Sequence, residues 1–363
     1  MVFSISSSLR QLLKCCVCII LLASSSLANS KVVKSEHQKL CSTSFLPNSG
    51  TVNLRIDNDM FGGVGQDQGY TNGFLLSWVS PNLTNYRDDP CLPDILQWSN
   101  SFLNWIQPHG FDERNMTFGI GQTMYTPEER EKTELIEYDR PYAGALLASL
   151  GYHASRGDYL QTSQFRFGVV GPAAKAGPVQ SQWHDIIGTD RFKGWDNQLR
   201  NEPVVQLIHE RRWRMARADF SSRWSGDVIV HAGASLGNFA TYANAGMEAR
   251  FGYMLPNDFG TAPLRPAGEN VSPIKTPPRS GWAGHLFVAV DGRWVLRDIT
   301  LDGNTFRNSH SVQKQPFVAD IGYGVAITRG KWRIALARYH RTREFKGQRD
   351  IPVYGTITIG RRF

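Results

Sequence analysis

Three short stretches of the 363-residue chain gather residue types that can do hydrolytic or metal chemistry. The first is Asp57-Asn58-Asp59, followed eleven residues later by Tyr70-Thr71-Asn72-Gly73. The second is Thr126-Pro127, with Lys132 close behind, leading to Asp139-Arg140-Pro141-Tyr142-Ala143-Gly144. The third is His184-Asp185-Ile186-Ile187-Gly188-Thr189-Asp190. Asp59 offers a carboxylate, a hard oxygen ligand. His184 supplies an imidazole that titrates near neutrality and can take a proton from water. Asp190 can orient that ring or join a metal site. Lys132 is a point charge for phosphate or sugar oxygens, and Asn58 and Thr71 can donate hydrogen bonds or hold a hairpin.

Each stretch also has a plainer reading. Asn-Asp before a glycine-rich segment is ordinary turn chemistry. A loop histidine often does no more than bond to backbone. Asp139-Arg140-Pro141-Tyr142 reads mainly as an ion pair and the start of a strand, and Thr71 alone would be a common strand residue. The chain has no Gly-x-Ser-x-Gly elbow, so a serine esterase of the hydrolase type is not supported. It has no Cys-x-x-Cys pair or His-x-x-x-His spacing, so a structural zinc site is not supported either.

What positions these residues follows from the hydropathy pattern. Residues 1–28 read as a secretory signal peptide: Arg10 and Lys14, a short apolar core from Cys15 to Ala23, and small residues before a cut near Ala28. Residues 29–49 form a Ser/Lys-rich leader. Beyond them no apolar run approaches the roughly 18 residues of a membrane helix. Instead the chain alternates. Met247, Ala249, Phe251 and Tyr253 oppose Glu248, Arg250 and Gly252; Phe317, Ala319, Ile321 and Tyr323 oppose Asp320 and Gly322. Period two means strands, and segments of about ten residues recurring along an exported chain mean a transmembrane barrel rather than a soluble sandwich. Aromatics near strand ends (Trp78, Tyr152, Trp213, Tyr253, Trp282, Tyr339) fit interfacial girdles. The chain ends on Phe363 after an alternating strand, as outer-membrane barrels do.

The expected fold is therefore all-β: a closed antiparallel transmembrane β-barrel over residues 50–363, with about twelve strands by the alternation rule. Those strands are 50–58, 70–80, 115–125, 143–153, 163–170, 203–214, 227–236, 243–253, 281–301, 316–328, 331–342 and 353–363, the ninth long enough to be two. With both ends in the periplasm, loops 59–69, 126–142, 171–202, 237–242, 302–315 and 343–352 face outward. All three reactive stretches then fall on consecutive outer hairpins. Alternation in strand 1 directs Val52, Leu54 and Ile56 outward, which sends Asn58 outward and Asp59 inward. The long connections 81–114 and 254–280 fall on the periplasmic side, where turns are usually short. They are insertions, or the count slips by one.

In order and spacing, Asn58-Asp59, Tyr70-Thr71 with Gly73, Asp139-Arg140 and His184 with an acid six residues on resemble the lipid A 3'-O-deacylases, over about residue 50 to Phe363. The resemblance implies a twelve-stranded outer-membrane barrel that uses calcium to remove the ester-linked 3'-acyloxyacyl group of lipid A. It assigns Asn58, Asp59, Thr71, Lys132, His184 and Asp190 as the functional positions. Asp190 stands where the family can carry Glu, and the loop around Lys132 is acidic, with Glu128, Glu129, Glu131 and Glu134. On this reading His184 is the base, Asp59 a calcium ligand and Lys132 a substrate contact, with lipopolysaccharide and outer-membrane lipids as partners. Two other classes remain open: an outer-membrane phospholipase using the same base and calcium, and a non-enzymatic pore or adhesion barrel with an open lumen.

The formal charge of +8 becomes +6 once Arg10 and Lys14 leave with the signal peptide. Export disfavours nucleic acid as the partner of that charge, and most Lys and Arg read as solubilising surface. Of five cysteines, Cys15, Cys16 and Cys18 lie in the signal peptide, leaving Cys41 and Cys91 for a disulfide that an exported chain can keep. Oligomeric state is not specified by any of these features.

Overall fold

The computed structural model describes residues 50–59, 69–87, 89, 92, 94–261 and 281–363. The signal peptide, the leader and both Cys41 and Cys91 lie outside the described residues. Twelve antiparallel strands close into one barrel: β1 Thr51–Asn58, β2 Gly69–Val79, β3 Glu113–Thr126, β4 Ala143–Arg156, β5 Tyr159–Val170, β6 Glu202–Asp219, β7 Trp224–Gly237, β8 Ala240–Tyr253, β9 Trp282–Asp298, β10 Phe317–Arg329, β11 Trp332–Arg341 and β12 Val353–Arg362. Each pairs with its neighbour in sequence, and β1 pairs with β12 to close the wall. Among the described residues the α-helices are α1 Asp94–Phe102, α2 Ala176–Ile187 and the single turn α3 Ile299–Asp302. The ninth strand is one strand; α3 takes up its expected tail. No described helix is long and apolar enough to cross a membrane.

Closure satisfies every strand edge, which is what a bilayer demands of a sheet. The two faces then separate by chemistry. Leu76, Phe118, Ile120, Leu286, Val288 and Leu336 point outward and are exposed, as a wall solvated by acyl chains should be. The opposite face is polar and paired. Arg55 holds Asp57 at 2.6 Å, and Asp57 also accepts from Tyr70 at 2.7 Å and from Thr356 at 2.8 Å. Arg341 pairs with Asp320 at 2.8 Å and with Glu344 at 3.0 Å, and Arg250 with Asp227 at 2.6 Å. Arg55, Arg140, Arg250, Arg333 and Arg341 are all buried. These arginines are exceptions to the reading of most Lys and Arg as surface charge: Arg55, Arg250, Arg333 and Arg341 neutralise carboxylates inside the barrel and Arg140 one at its outer end. Deleting one partner of such a pair costs on the order of 3–5 kcal/mol.

The end that carries the short turns 157–158, 220–223 and 330–331, with the Gly50 carbonyl accepting from the Phe363 amide at 3.0 Å, is the periplasmic end. Both long connections join strand ends on that side, so the count of twelve does not slip. Residues 256–261 turn up into the barrel. Asp258 pairs with Arg250 of β8 and, at 3.2 Å, with Arg333 of β11. The Phe259 carbonyl accepts from Arg212 of β6 at 2.8 Å, and Thr261 reaches His285 of β9 at 2.6 Å. One short segment thus crosses the mouth from β6 to β11.

Four of the six aromatics expected in the girdle are at least part-exposed and two are buried. Trp282 is exposed and Trp78, Trp213 and Tyr253 are part-exposed, joined by Trp224, Trp332 and Phe363. Tyr152 and Tyr339 are fully buried. Tyr339 faces the lumen and stacks on Tyr354, ring centroids 5.0 Å apart. Tyr152 faces outward, but the connection between β2 and β3 covers it, and its hydroxyl donates to Asn100 of α1 at 2.7 Å.

Candidate active site

Asn58 ends β1 and pairs in register with Asn72 of β2, and the two side-chain amides hydrogen-bond directly. Between Tyr70 and Asn72 the β2–β3 register slips by one residue. Such a bulge re-aims side chains at a strand end. Tyr70 turns into the barrel, where its hydroxyl meets Asp57. It passes over Gly73, where a Cβ would overlap the Tyr70 hydroxyl, so this close approach requires glycine. Thr71, the extra residue, turns the other way: its hydroxyl lies 2.6 Å from that of Thr126, the last residue of β3. Asp59 follows β1 directly and is buried.

Thr126 shares its side of β3 with Phe118, Ile120, Gln122 and Met124, two residues apart along one face. Phe118 and Ile120 are exposed to lipid, whereas Gln122 and Met124 are buried. The cover is the connection between β5 and β6. The Gln122 amide donates to the Ala174 carbonyl just before α2. Gly144 of β4 lies so close to Ala176, the first residue of α2, that a Cβ at Gly144 would overlap the Ala176 methyl. Met124, Tyr142, Ala176, Phe192 and Trp195 form one buried cluster. The helix therefore leans on the outside of the wall at the outer end of β3 and β4, not over the lumen. This settles the direction of the site: Asn58, Thr71, Asn72 and α2 all belong to the outward side.

His184 sits in the last turn of α2 and is 1 % exposed. Gly188 caps the helix at φ 72°, its N–H donating back to the His184 carbonyl. The chain then reverses, so that the Asp190 carbonyl lies 2.6 Å from His184 Nδ1. A carbonyl only accepts, so Nδ1 carries the proton in the neutral ring and Nε2 is the basic atom. Asp185 and Arg191 brace the reversal with two hydrogen bonds, one of them 2.7 Å. Hydrogen bonds from Arg191 hold the Asp185 carboxyl below its usual range. Phe192 packs edge-on to the imidazole, centroids 5.6 Å apart. Tyr142, pushed up to about 12 by burial, packs against Phe192 and Trp195.

The structure thus brings the expected residues together in two groups. Asn58, Asp59 and Thr71 gather at the paired ends of β1 and β2. His184 and Asp190 form the second group, joined to the first through Asn72, its register partner Met124, and the cluster containing Phe192. Asp190 meets His184 through its main-chain carbonyl, while its side chain is exposed. Lys132 lies in the loop between β3 and β4. It pairs with Glu129 at 2.9 Å and donates to Tyr138 at 3.0 Å. Hydrogen bonds with Tyr138 and Glu129 raise its ammonium above the usual lysine range. Sequence reasoning missed Asn72 and Gln122 as partners. It also missed Gln180, buried one turn before His184 and accepting from Trp195 Nε1 at 2.7 Å. The missing signal was α2 itself, which the alternation rule does not detect.

Arg140 was expected to be structural, and it is. It is 1 % exposed, pairs with Glu344 at 2.9 Å and donates to Thr300 at 2.9 Å, tying three outer loops together. Burial raises the Glu344 carboxyl, but Arg140 and then Arg341 outweigh it and hold it below the usual carboxylate range.

Among solved structures, the chain is similar to LpxR from Salmonella typhimurium, with a TM-score of 0.67 and 20 % identity over 86 % of this chain and all of that one. It also matches the β-domain of the Bordetella autotransporter BrkA at a TM-score of 0.40 and 8 % identity, covering 87 % of this chain and 99 % of that one, a likeness too low to argue from. No curated protein matches significantly. The family model described as outer membrane protein LpxR matches residues 13–363, nearly the whole sequence. The chain is an outer-membrane β-barrel that belongs to the LpxR family.

Proposed function

We propose that this protein is a lipid A 3'-O-deacylase: it hydrolyses the 3'-linked acyloxyacyl ester of lipid A in the outer leaflet, with calcium as cofactor. Family membership supports lipid A as substrate. The observation that carries the reading is a buried imidazole, its Nδ1 locked against a carbonyl, on the membrane-facing side of a barrel wall. A base placed there works on a molecule lying beside the barrel.

In the reaction His184 Nε2 takes a proton from water, and the water oxygen attacks the ester carbonyl. The bond from that carbon to the sugar oxygen breaks, and the imidazolium returns its proton to the departing oxygen. The acyl group leaves as a carboxylic acid, and a hydroxyl remains on the sugar. Asn58 and Thr71 shape the wall beside the ester. Lys132 contacts a phosphate or sugar oxygen after exchanging its Glu129 partner.

The residues fit calcium in kind. Among the described residues no three His, Cys, Asp or Glu side chains gather as a metal site. Asp59, with amide and hydroxyl oxygens of Asn58 and Thr71 nearby, offers oxygen donors of the sort calcium accepts. Bound there, calcium would supply positive charge toward the ester carbonyl.

The test is mass spectrometry of lipid A from cells expressing the folded protein with calcium present. Loss of the 3'-acyloxyacyl mass is expected, and unchanged lipid A would overturn the reading. A phospholipase is the second reading, because the same wall also faces glycerophospholipid. Competition between the two lipids in mixed micelles separates them.

A further inference from the structure

We propose that α1 and the turn after it form an in-plane membrane anchor that seats Trp98, Phe102 and Trp105 at the acyl–headgroup boundary of the periplasmic leaflet. The segment lies on the outside of the barrel near its periplasmic end. Leu96, Leu103 and Ile106 pack with Met116, Leu150 and Phe165 of the outer wall. Polar ties fix it: Tyr152 donates to Asn100, Tyr86 donates to the His153 carbonyl at 2.6 Å, and Gln107 donates to the Asn100 carbonyl at 2.7 Å.

Sequence spacing gives the helix two faces. Leu96, Asn100 and Leu103 recur at four and three residues and face the wall. Trp98, Phe102 and Trp105 recur at the same spacing and face away, 67 %, 76 % and 70 % exposed. Trp98 and Phe102 stack on each other, centroids 6.2 Å apart. Three large aromatics on one face, each more than two-thirds exposed, is a surface that water does not favour.

Continuity with the wall identifies the occupant. Phe165 and Leu207 pack against the same buried cluster as Leu96 and Leu103. Two residues along the same faces of those strands, Phe167 and Val205 are exposed to lipid. The aromatic face thus extends the lipid-facing surface. Tryptophan with phenylalanine is the composition that sits at a bilayer interface. Residues 94–106 contain no Lys or Arg and a single acid, Asp94, so apolar burial rather than charge holds the anchor.

The experiment uses a nitroxide at Trp98→Cys in a Cys41→Ser/Cys91→Ser background, in proteoliposomes of phosphatidylethanolamine and phosphatidylglycerol. Reference labels sit at Phe118→Cys on the wall and Ser222→Cys in a periplasmic turn. The expected ratio of oxygen to nickel-chelate collisions at 98 exceeds that at 222 several-fold, and it does not change with salt. A ratio equal to that at 222 would put the helix in water and overturn the proposal. Low collision rates with both reagents would mean that protein covers it, and would also overturn it. Should the labelled variant fold poorly, bromolipid quenching of native fluorescence replaces it. Trp98→Phe/Trp105→Phe should lose a component quenched best by bromines near the headgroup, and an unchanged profile sinks the idea.

Discussion

His184 Nδ1 lies 2.6 Å from the main-chain carbonyl of Asp190, and the Asp190 side chain points away to solvent. The resemblance to known deacylases suggested a carboxylate behind the base; the structure puts a peptide oxygen there. Asp190→Asn keeps that oxygen. It should leave the base-dependent limb of the pH–rate profile where it is and keep turnover close to that of the parent. A shift of the pH limb would show that the carboxylate acts on the imidazole instead.

Replacing His184 with Ala should reduce deacylation by about 10²–10⁴-fold, the usual worth of a general base. The barrel should still show heat-modifiable migration on gels, because α2 is held by Gly144, Gln122 and Trp195 rather than by the imidazole. Retained activity would remove His184 from the mechanism.

Thr71 and Thr126 join the ends of β2 and β3 through their hydroxyls. Thr71→Val preserves the branched shape and removes the bond. The expected loss of stability is about 1–2 kcal/mol. Thr126→Val should cost a similar amount, and the double variant less than the sum. Strict additivity in a denaturant titration would mean that the two hydroxyls do not act on each other.

Gly144 permits the contact that seats α2. Gly144→Ala should push the helix off the wall and cut turnover at least tenfold while the barrel remains assembled. Adding Ala176→Gly makes room and should restore most of the rate. Failure of this rescue would separate the activity from the seating of the helix.

Glu344 has a depressed carboxyl because Arg140 and Arg341 face it. Its ionised form therefore stabilises the fold above the pKa it has in the unfolded chain. That contribution fades as pH falls below the ordinary carboxylate value toward the folded one. Glu344→Gln should cost on the order of 2 kcal/mol near pH 7. The gap from the parent should close as pH drops toward 3, as urea midpoints across that range would show. A constant gap would mean that the loss is one of packing.

The barrel was legible because a wall with one oily face writes its period into every strand; the twelve expected segments differ from the observed ones by a few residues at their ends. β6 shows why the ends drift. Past Trp213 the register shifts between Arg214 and Ala216, so the alternation loses phase while the ladder continues to Asp219. The candidate site was legible as a proximity of motifs: Asn58 and Thr71 were expected on one outer hairpin and His184 on another, and the structure puts them there. Its architecture was not. Alternation predicts a face but not a bulge, so the turn of Thr71 and Asn72 to the outer side was hidden. A helix outside a barrel wall, with Ala176 at Gly144, leaves no period-two trace. The interior arginines were hidden for a related reason: an inward charge and a surface charge look alike until closure pairs them.

On the proposed reading, His184 stands outside the wall, so reactant would reach it by sideways drift within the leaflet. The encounter rate would then be set by molecules per unit area and by the fluidity of the lipopolysaccharide layer, not by any bulk concentration. Stiffening that layer, as divalent cations do when they bridge neighbouring phosphates, would slow supply even where the same cations serve the proposed site.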